Sequence, residues 1–434
     1  MRREQARPAA TPSVLRAACR RGPRRRRASL QNHGRTGASL TTLARMPKRP
    51  LLMIPGPIEF EPEVLAALAT PSPSHMDLDF AKVFGRALVR MREVFKAPSG
   101  QPFVIAGTGT LAMELAAANV IEAGDRVVIV NTGFFGDRMG RIVERLGATP
   151  EHVRAPLGEV PSLEAIEQAV SRGPCKALAV THVDTSTSIL TPVEAIAKIG
   201  KKHGALVIVD GVCATGGETL KQEAWGVDVA LTASQKAIGV PPGLALVVAS
   251  AAALEVAKTR KTKVASLYLD FNEWLPIMEG YEKGAPQYFA TPAVNLVAAL
   301  EVSLGRICAE GIDARVARHE RVAHAFRAAW KALGLSMLPK SDAVAAHTMS
   351  AVWYPEGVDP AFVGRAREEG VVLAGGLHPD AKTKYFRVGH MGSTDSAEAV
   401  ATIAAVERAL VKSGRRIELG VGVAAAQQVL SKSA

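Results

Sequence analysis

Short apolar runs and amphipathic segments alternate along the middle of the chain, between about residues 100 and 250. The apolar runs are short and continuous, as in strands buried on both faces: Phe103–Ala106, Arg126–Val130, Lys176–Val183, Ala205–Val209 and Val227–Leu231. Segments with helical spacing lie between them, at Leu111–Ile121, Leu163–Val170 and Val193–His203. This alternation predicts a parallel sheet covered by helices on both faces.

Functional residues in such a sheet lie at the carboxyl ends of the strands. The first strand runs into Gly107-Thr108-Gly109-Thr110, just before a helical segment. Exposed backbone N–H groups, hydroxyls and the helix dipole suit a phosphate at this place. The turn is not a GxGxxG motif, and it fits equally well a simple helix cap made by threonine.

Two charged residues follow later strands. Asp210 ends the run Ala205–Val209, and Lys236 follows the run that ends at Leu231. Taken singly, the aspartate fits a turn cap and the lysine fits a solvated surface residue. Together with the Gly/Thr turn, they are the three attachments that pyridoxal phosphate needs: a lysine for the covalent bond, an acid for the pyridine nitrogen and a phosphate cup.

The C-terminal third continues with further strand and helix patterns. Thr348–Tyr354 and Tyr385–Val388 predict strands, and Asp395–Val411 predicts a helix. Arg387 lies within the second of these strands, where a buried guanidinium needs an anion. That anion is either an internal carboxylate or a bound ligand.

The chain resembles the class V aminotransferases of fold-type I, and among them the alanine–glyoxylate aminotransferases. The resemblance runs from Leu51 to about Gly392. It is carried by motifs that occur in order: Pro55-Gly56-Pro57, Ser74-His75-Met76, Ala106-Gly107-Thr108-Gly109-Thr110, Thr181-His182-Val183-Asp184-Thr185-Ser186-Thr187, Val209-Asp210-Gly211-Val212, Thr232-Ala233-Ser234-Gln235-Lys236-Ala237, Tyr288-Phe289-Ala290-Thr291-Pro292 and Arg387-Val388-Gly389-His390-Met391-Gly392.

The resemblance implies roles for individual residues. Lys236 would bind pyridoxal phosphate and move the substrate proton, Asp210 would keep the pyridine nitrogen protonated, and Arg387 would take the substrate carboxylate. Val212 and Phe135 would cover the two faces of the cofactor ring, and Thr185 would contact its phenolic oxygen. The phosphate would be bound by Thr108, Gly109, Thr110 and Gln235 and, from a neighbouring subunit, by Tyr288 and Thr291. Many relatives have tryptophan at the position of Phe135, and some have histidine at that of Thr110.

The resemblance also implies the architecture of the PLP-dependent transferase fold-type I. We expect a large domain with a mostly parallel seven-stranded sheet, followed by a smaller C-terminal α/β domain. The expected divisions are an Arg-rich extension without fixed structure at 1–45, the large domain with its N-terminal arm at 46–310, the small domain at 311–412, and a tail at 413–434.

The implied reaction is transamination in two halves. L-Alanine would leave as pyruvate, and glyoxylate would take the amino group and leave as glycine, so the reaction consumes glyoxylate and forms glycine. Both substrates are small α-carboxylates, which the same groups can bind. The implied assembly is a homodimer whose active sites are built from both chains.

Other functions remain open at this point. The motifs do not separate alanine from serine as the donor, so a serine–glyoxylate or serine–pyruvate aminotransferase is an alternative. A cysteine desulfurase needs a mobile nucleophilic cysteine on a late loop, and no cysteine follows Cys308. A protein that binds nucleic acid through its basic extension is the alternative from a different class.

The basic charge is concentrated at the N-terminus. The net charge is +12, and residues 1–45 contain twelve arginines and one acidic residue, Glu4, so they carry +11 and leave +1 for the rest. The near-neutral body gives no reason to expect a nucleic-acid partner. The segment fits a mitochondrial transit peptide, a nucleic-acid-binding arm, or an extension upstream of a true start at Met46. We expect a cytoplasmic protein, or a mitochondrial one if residues 1–45 are a transit peptide.

Cysteine usage and hydropathy exclude several further classes. The four cysteines are far apart and form no CxxC or Cys/His motif, so we expect no disulfide framework and no metal site. The longest uncharged run, Ala237–Leu254, contains Pro241, Pro242 and Gly243 and cannot form one membrane-spanning helix. We therefore expect small-molecule substrates and no membrane partner.

Overall fold

The structure is a computed structural model that describes residues 49–432. The predictions for the extension 1–45, that it has no fixed structure and that it serves targeting or nucleic-acid binding, lie outside the described residues.

The strands are, in chain order, β1 (Leu51–Leu52), β2 (Gln101–Ala106), β3 (Arg126–Asn131), β4 (Thr149–Arg154), β5 (Ala177–Thr181), β6 (Val183–Asp184), β7 (Ile189–Leu190), β8 (Leu206–Asp210), β9 (Val229–Ala233), β10 (Leu244–Ala249), β11 (Met349–Trp353), β12 (Val371–Val372), β13 (Ala374–Gly375) and β14 (Tyr385–Gly389).

The helices are α1 (Pro62–Leu68), α2 (Leu78–Phe95), α3 (Gly109–Val120), α4 (Phe134–Arg145), α5 (Leu163–Ser171), α6 (Val193–Lys202), α7 (Ala251–Thr259), α8 (Phe271–Glu282), α9 (Val294–Glu310), α10 (Ile312–Ala332), α11 (Phe362–Glu368), α12 (Ser396–Lys412) and α13 (Val421–Leu430).

Seven strands form the central sheet in the order β2-β10-β9-β8-β5-β3-β4. The pairs that join β4, β3, β5, β8 and β9 are parallel, whereas β10 is antiparallel to both β9 and β2. The strands β5, β9 and β10 are buried at every position. The predicted mostly parallel seven-stranded sheet is therefore confirmed, and its one antiparallel strand is an addition to the prediction.

Parallel register brings separate strand ends to one edge of the sheet. Thr181 at the end of β5 lies opposite Asp210 at the end of β8, and Asp210 lies opposite Leu231 in β9. The residues that follow these three strands therefore lie close together, as the sequence analysis expected.

A second, three-stranded sheet has the order β11-β14-β13, and all its pairs are antiparallel. Helices α10 to α13 pack around it on a separate apolar core that includes Phe326, Trp330 and Phe386. Helix α9 ends at Glu310 and α10 begins at Ile312. The division into domains at 310 and 412 stays a prediction.

The segment 413–434, which the sequence analysis set apart as a tail, contains helix α13. Its residues Gly422 and Ala426 are buried. The buried carboxylate of Glu407 in α12 accepts hydrogen bonds from the backbone N–H groups of Gly420 at 2.7 Å and Gly422 at 2.8 Å. This carboxylate binds the first turn of α13, where free N–H groups and the helix dipole favour an anion. Within residues 49–432, no helix is long and apolar enough to cross a membrane.

Candidate active site

Lys236 lies in the turn after β9 and is 8% exposed. Its Nζ donates a hydrogen bond to the carbonyl oxygen of Pro55, in the motif Pro55-Gly56-Pro57. Gly56 has φ +88°, and a Cβ there would lie 2.9 Å from Nζ. Glycine is needed at position 56 both for this backbone conformation and for the close approach of the lysine.

Burial lowers the pKa of the Lys236 ammonium, because the interior disfavours the charged form. The positive charge of Arg387 lowers it further, and the thiol of Cys213 and the carboxylate of Asp210 act in the opposite direction. A lysine with a lowered pKa has more of its amine in the neutral form, which is the form that acts as nucleophile and base.

Asp210 ends β8 and is 3% exposed. Its Oδ1 accepts a hydrogen bond from the backbone N–H of Val212 at 3.0 Å, and its Oδ2 is buried without a partner among the described residues. Burial raises the pKa of this carboxyl to about 6 and Asp184 acts in the same direction, against the lowering effects of the Val212 hydrogen bond, Arg138 and Lys236. An unpartnered buried carboxylate oxygen is costly unless a ligand binds it.

The Gly/Thr turn precedes α3, which starts at Gly109. Thr108 is the N-cap, and its Oγ1 accepts a weak hydrogen bond from the N–H of Leu111 at 3.4 Å. A Cβ at Gly109 would lie 3.0 Å from a methyl group of Val212, so the helix start approaches the residue predicted to cover the ring. Thr108 therefore caps the helix, which was one of the two interpretations of this turn. The cap still leaves the first N–H groups of α3 free for an anion.

Two other predicted phosphate ligands differ in how they are engaged. The Thr110 hydroxyl oxygen accepts a hydrogen bond from Arg138 at 2.8 Å, so it is already bound to a cation. Gln235 precedes the lysine, and its Oε1 is buried with no partner among the described residues. The glutamine oxygen is therefore still available to a ligand, whereas the threonine hydroxyl would take part in phosphate binding together with Arg138.

Arg138 is a site residue that the sequence analysis did not single out. Its guanidinium carbon lies 4.7 Å from the ring centroid of Phe135 and 5.2 Å from that of Phe134. Burial lowers the pKa of this guanidinium, while the charge of Asp210 raises it. Arg138 follows Phe134 by four residues and Phe135 by three, so the three side chains share one face of α4. This spacing could have indicated from the sequence that Arg138 lies at the site.

The predicted stacking residue Phe135 lies at the start of α4, which has no capping side chain of its own. Asp184 supplies the cap: its Oδ2 accepts the N–H of Phe135 at 3.1 Å, and its Oδ1 accepts the N–H of Ser186 at 2.8 Å. The carboxyl is completely buried, and burial raises its pKa. Asp184 was seen in the sequence only as part of a motif, because its partner lies 49 residues away.

Arg387 in β14 points its guanidinium at the segment that follows β6. Nη1 donates to the carbonyl oxygen of Thr185 at 3.0 Å, and Nε donates to that of Gly375 at 2.8 Å. It forms no ion pair with any carboxylate within residues 49–432. The sequence left either an internal carboxylate or a bound ligand as the anionic partner of Arg387. Within the described residues, no internal carboxylate takes this role. Burial lowers the pKa of the guanidinium.

Thr185 is 5% exposed, and its hydroxyl faces the Cys213 thiol. Cys213 is also buried, which raises the pKa of its thiol, and the positive charges of Lys236 and Arg387 act in the opposite direction. The structure therefore brings Thr185 to the same place as the lysine and the arginine.

Tyr288 and Thr291 differ from the other predicted site residues because both are exposed in the single chain. The side chain of Tyr288 is 66% exposed, and its ring lies 5.5 Å from that of His75. Thr291 is exposed just before α9. The structure does not bring this pair together with Lys236, so their predicted role in a neighbouring subunit stays a prediction.

These residues fit pyridoxal phosphate. Asp210 Oδ2, which has no partner among the described residues, can accept a pyridine N–H, and the Lys236 amine, whose pKa burial lowers, lies within the same buried region. The free N–H groups at the start of α3, with Arg138 beside Thr110, suit a phosphate. The guanidinium of Arg387, which pairs with no carboxylate within residues 49–432, suits a substrate carboxylate.

The sequence model of the family described as Aminotransferase class-V matches residues 63–388. The chain is 38% identical to alanine–glyoxylate aminotransferase 1 of Saccharomyces cerevisiae, over 79% of this chain and 92% of the relative. It is 34% identical to the L-aspartate–glyoxylate aminotransferase of Paracoccus denitrificans, over 87% and 95%. It is 31% identical to the serine–glyoxylate aminotransferase of Arabidopsis thaliana, over 88% and 96%.

Solved structures have the same fold. The alanine–glyoxylate aminotransferase of Nostoc sp. is 33% identical and superposes with a TM-score of 0.78, covering 83% of this chain and 95% of that one. The ureidoglycine–glyoxylate aminotransferase of Bacillus subtilis is 28% identical and superposes with a TM-score of 0.82, covering 88% and 98%.

Proposed function

The chain belongs to the class V aminotransferases, and on this basis we propose that it transfers the amino group of L-alanine to glyoxylate, giving pyruvate and glycine. The enzyme is an aminotransferase, and its cofactor is pyridoxal phosphate. We choose small α-carboxylates as substrates because of the guanidinium of Arg387. Its charge lowers the pKa of Lys236, and it has no carboxylate partner among residues 49–432.

The cofactor is held by residues from several strand ends. Asp210 Oδ2 would accept the pyridine N–H, Val212 and Phe135 would cover the ring, and the Thr185 hydroxyl would bind the phenolic oxygen. Thr108, Gly109, Thr110 and Gln235 would bind its phosphate, and in a homodimer Tyr288 and Thr291 of the neighbouring subunit would complete the phosphate site. When bound, pyridoxal phosphate supplies an aldehyde that carries the amino group and a pyridinium ring that stabilises negative charge at the substrate Cα.

Lys236 has two tasks in this mechanism. Its amine would hold the cofactor, and its Nζ would be the base that moves the proton of the substrate Cα. Burial lowers the pKa of Lys236, which favours the unprotonated amine that the second task requires. Asp210 holds the proton on the ring nitrogen throughout, which requires the ionised carboxylate.

Arg387 orients both substrates. Its guanidinium can make a bidentate pair with an α-carboxylate, and alanine and glyoxylate each carry one. With the carboxylate fixed, the Cα of alanine is directed toward Nζ of Lys236. The same pair then holds glyoxylate in the second half of the reaction, so one cation serves both halves.

The relatives support glyoxylate as the acceptor more strongly than alanine as the donor. The names of the relatives described above share glyoxylate, whereas their donors are alanine, aspartate, serine and ureidoglycine. The relative with 38% identity uses alanine, which is the reason for our choice. Serine is the second candidate, supported by the relative with 31% identity.

A donor panel tests the proposal. Purified enzyme is given glyoxylate with L-alanine, L-serine or L-aspartate in turn, and the keto acid formed from each donor is measured at several concentrations. We expect the largest kcat/KM for alanine, with pyruvate and glycine formed in equal amounts. A larger value for serine would transfer the proposal to the serine–glyoxylate reaction, and no keto acid from any donor would contradict it.

We propose further that the enzyme is a homodimer with shared active sites. Tyr288 is exposed beside His75, and the neighbouring residues Met76 and Leu78 are apolar and 44% and 61% exposed. Exposed apolar side chains gathered at one place favour an interface. A twofold axis would let each chain lend its Tyr288 and Thr291 to the partner's phosphate cup.

Complementation tests the shared site. One variant is Lys236→Ala, and the other is Tyr288→Phe/Thr291→Ala, which should lose cofactor affinity. In a mixed dimer one site carries both lesions and the other carries none, so random mixing leaves roughly a quarter of all sites intact. Recovery of activity after the two variants are unfolded and refolded together is expected. If the second variant is impaired and the mixture gains no activity, each site is built from one chain.

A further inference from the structure

Three side chains of types that can bind a metal ion lie together, and none of them is among the active-site residues described above. Glu320 and His324 are four residues apart in α10 and therefore on one face of the helix, and both are exposed. His347 approaches them from the segment before β11, and one ligand atom from each of the three lies within 4.8 Å of the others.

His347 is held in a fixed orientation by a buried carboxylate. Glu218, which is 3% exposed, accepts the backbone N–H of His347 at 2.5 Å and the Nδ1–H at 2.8 Å. The carboxylate thereby fixes the tautomer, with the proton on Nδ1, and leaves Nε2 as the free nitrogen. A carboxylate behind a histidine in this way is the usual outer partner of a metal-binding imidazole.

The charges around the three residues favour a cation. The carboxylates of Glu218, Glu320 and Asp342 act on the two histidines, against one guanidinium, that of Arg327. That guanidinium is engaged elsewhere, since it donates to the carbonyl oxygens of Ala345 and Ala346 at 2.6 and 3.0 Å. Glu218, Glu320 and His347 line a cavity of about 740 Å³, whereas His324 lines a second cavity of about 460 Å³, so water reaches the group.

We propose that Glu320, His324 and His347 form a binding site for a divalent transition metal of the zinc type, with Glu218 as the residue that positions His347. Two imidazoles and one carboxylate are a donor set that Zn²⁺ binds, with water in the fourth position. Bonds of about 2.0–2.1 Å separate tetrahedral ligands by roughly 3.4 Å, so the ligand atoms must draw closer. The exposed side chains of Glu320 and His324 can make this adjustment.

A bound metal would link α10 to the loop that leads out of the active site. Glu218 belongs to the segment after Asp210, and the Thr348 hydroxyl donates to the carbonyl oxygen of Cys213 at 2.7 Å. The metal would therefore stabilise the folded chain at a place next to the cofactor residues, without touching them. This inference does not depend on the identity of the amino donor.

The test is zinc binding by the full-length holoenzyme without a histidine tag. Equilibrium dialysis measures stoichiometry and affinity for wild type, His324→Ala, Glu320→Gln and Glu218→Gln. The control is His203→Ala, because His203 also has a carboxylate neighbour, Glu167 at 3.2 Å, but belongs to no three-residue ligand group within residues 49–432. Thermal unfolding with and without Zn²⁺ provides a second readout, and transaminase activity without metal verifies that each variant is folded.

We expect one Zn²⁺ per wild-type chain and a raised Tm on binding, since a ligand that binds only the folded state stabilises it. His324→Ala and Glu320→Gln should remove the tight site and the rise in Tm, and Glu218→Gln should weaken binding by roughly 10- to 100-fold. His203→Ala should bind zinc like wild type. Equal zinc binding by wild type and His324→Ala, or no stoichiometric binding by wild type, would overturn the proposal.

Discussion

The carboxylate of Asp210 is bound by the backbone N–H of Val212 through only one of its oxygens, at 3.0 Å. The second oxygen is buried and has no partner among residues 49–432. Val212 thus orients the acid while leaving the other oxygen available to the cofactor nitrogen. Without the cofactor, this arrangement keeps a carboxylate in the interior that is only partly compensated, and it has consequences for stability.

Cofactor-free enzyme should lose stability as pH rises because of Asp210. Burial raises its pKa in the folded chain to about 6, above the ordinary value of 3.8. The stabilising contribution is therefore complete below about pH 4 and is lost as pH rises through 6. Asp210→Asn has no titrating group at this position. The free energy of unfolding of wild type should therefore fall by about 3 kcal/mol relative to that of the variant over this pH range. Urea unfolding of both apoproteins from pH 4 to 7 measures the difference, and a pH-independent difference would contradict the assignment.

Arg387→Lys should raise KM for alanine and for glyoxylate. An ammonium cannot make the bidentate pair with a carboxylate, so about one hydrogen bond to a charged group is lost, which corresponds to roughly tenfold or more in KM. Steady-state kinetics with each substrate varied in turn measures the effect. Arg365→Lys, whose arginine pairs with Asp359 near the surface, is the matched control and should behave as wild type. A change for one substrate alone would mean that Arg387 reads the side chain instead.

Asp184→Asn should weaken cofactor binding through the position of Phe135. The amide would present a donor where the carboxylate accepts the N–H of Phe135, and a lost buried bond costs about 1–3 kcal/mol. Spectral titration should show roughly 5- to 150-fold weaker binding of pyridoxal phosphate, with the covalent bond to Lys236 still formed. Asp137→Asn, a more exposed acid in the first turn of the same helix, is the control. Equal affinities for wild type and Asp184→Asn would exclude the positioning role.

A chain that begins at Met46 should fold, bind pyridoxal phosphate and turn over like the full chain. The predicted site residues all lie after residue 46, whereas residues 1–45 carry +11 of the net charge. If the extension binds nucleic acid, only the full chain should show binding that falls steeply with salt. Gel filtration, cofactor titration and a salt series on both chains measure these properties. Loss of activity in the shorter chain would show that the boundary is wrong.

The sheet could be predicted because its strands are buried on both faces and appear in the sequence as continuous apolar runs. The run Ala205–Val209 became β8 with Asp210 at its end, because nothing polar interrupts it. The direction of β10 could not be predicted in this way, since a fully apolar strand has the same pattern whether it is parallel or antiparallel.

The main site residues could be expected from strand ends and motifs, but their partners could not. Lys236 is hydrogen-bonded to Pro55, which is 181 residues away in the sequence, and Asp184 is hydrogen-bonded to Phe135, which is 49 residues away. Such contacts depend on tertiary packing, which local patterns do not encode. The same reason explains the unpredicted group at Glu320, His324 and His347, because a search for closely spaced ligands does not join a helix to a distant loop.

The most direct test of the central claim follows the amino group itself. Wild-type enzyme is incubated with ¹⁵N-labelled L-alanine and unlabelled glyoxylate, and the glycine formed is analysed by mass spectrometry. Lys236→Ala is treated in parallel, with Lys221→Ala as a control for an exposed lysine. We expect ¹⁵N-glycine and an equal amount of pyruvate from wild type and Lys221→Ala, and neither product from Lys236→Ala. Unlabelled glycine, no glycine, or full activity in Lys236→Ala would contradict it.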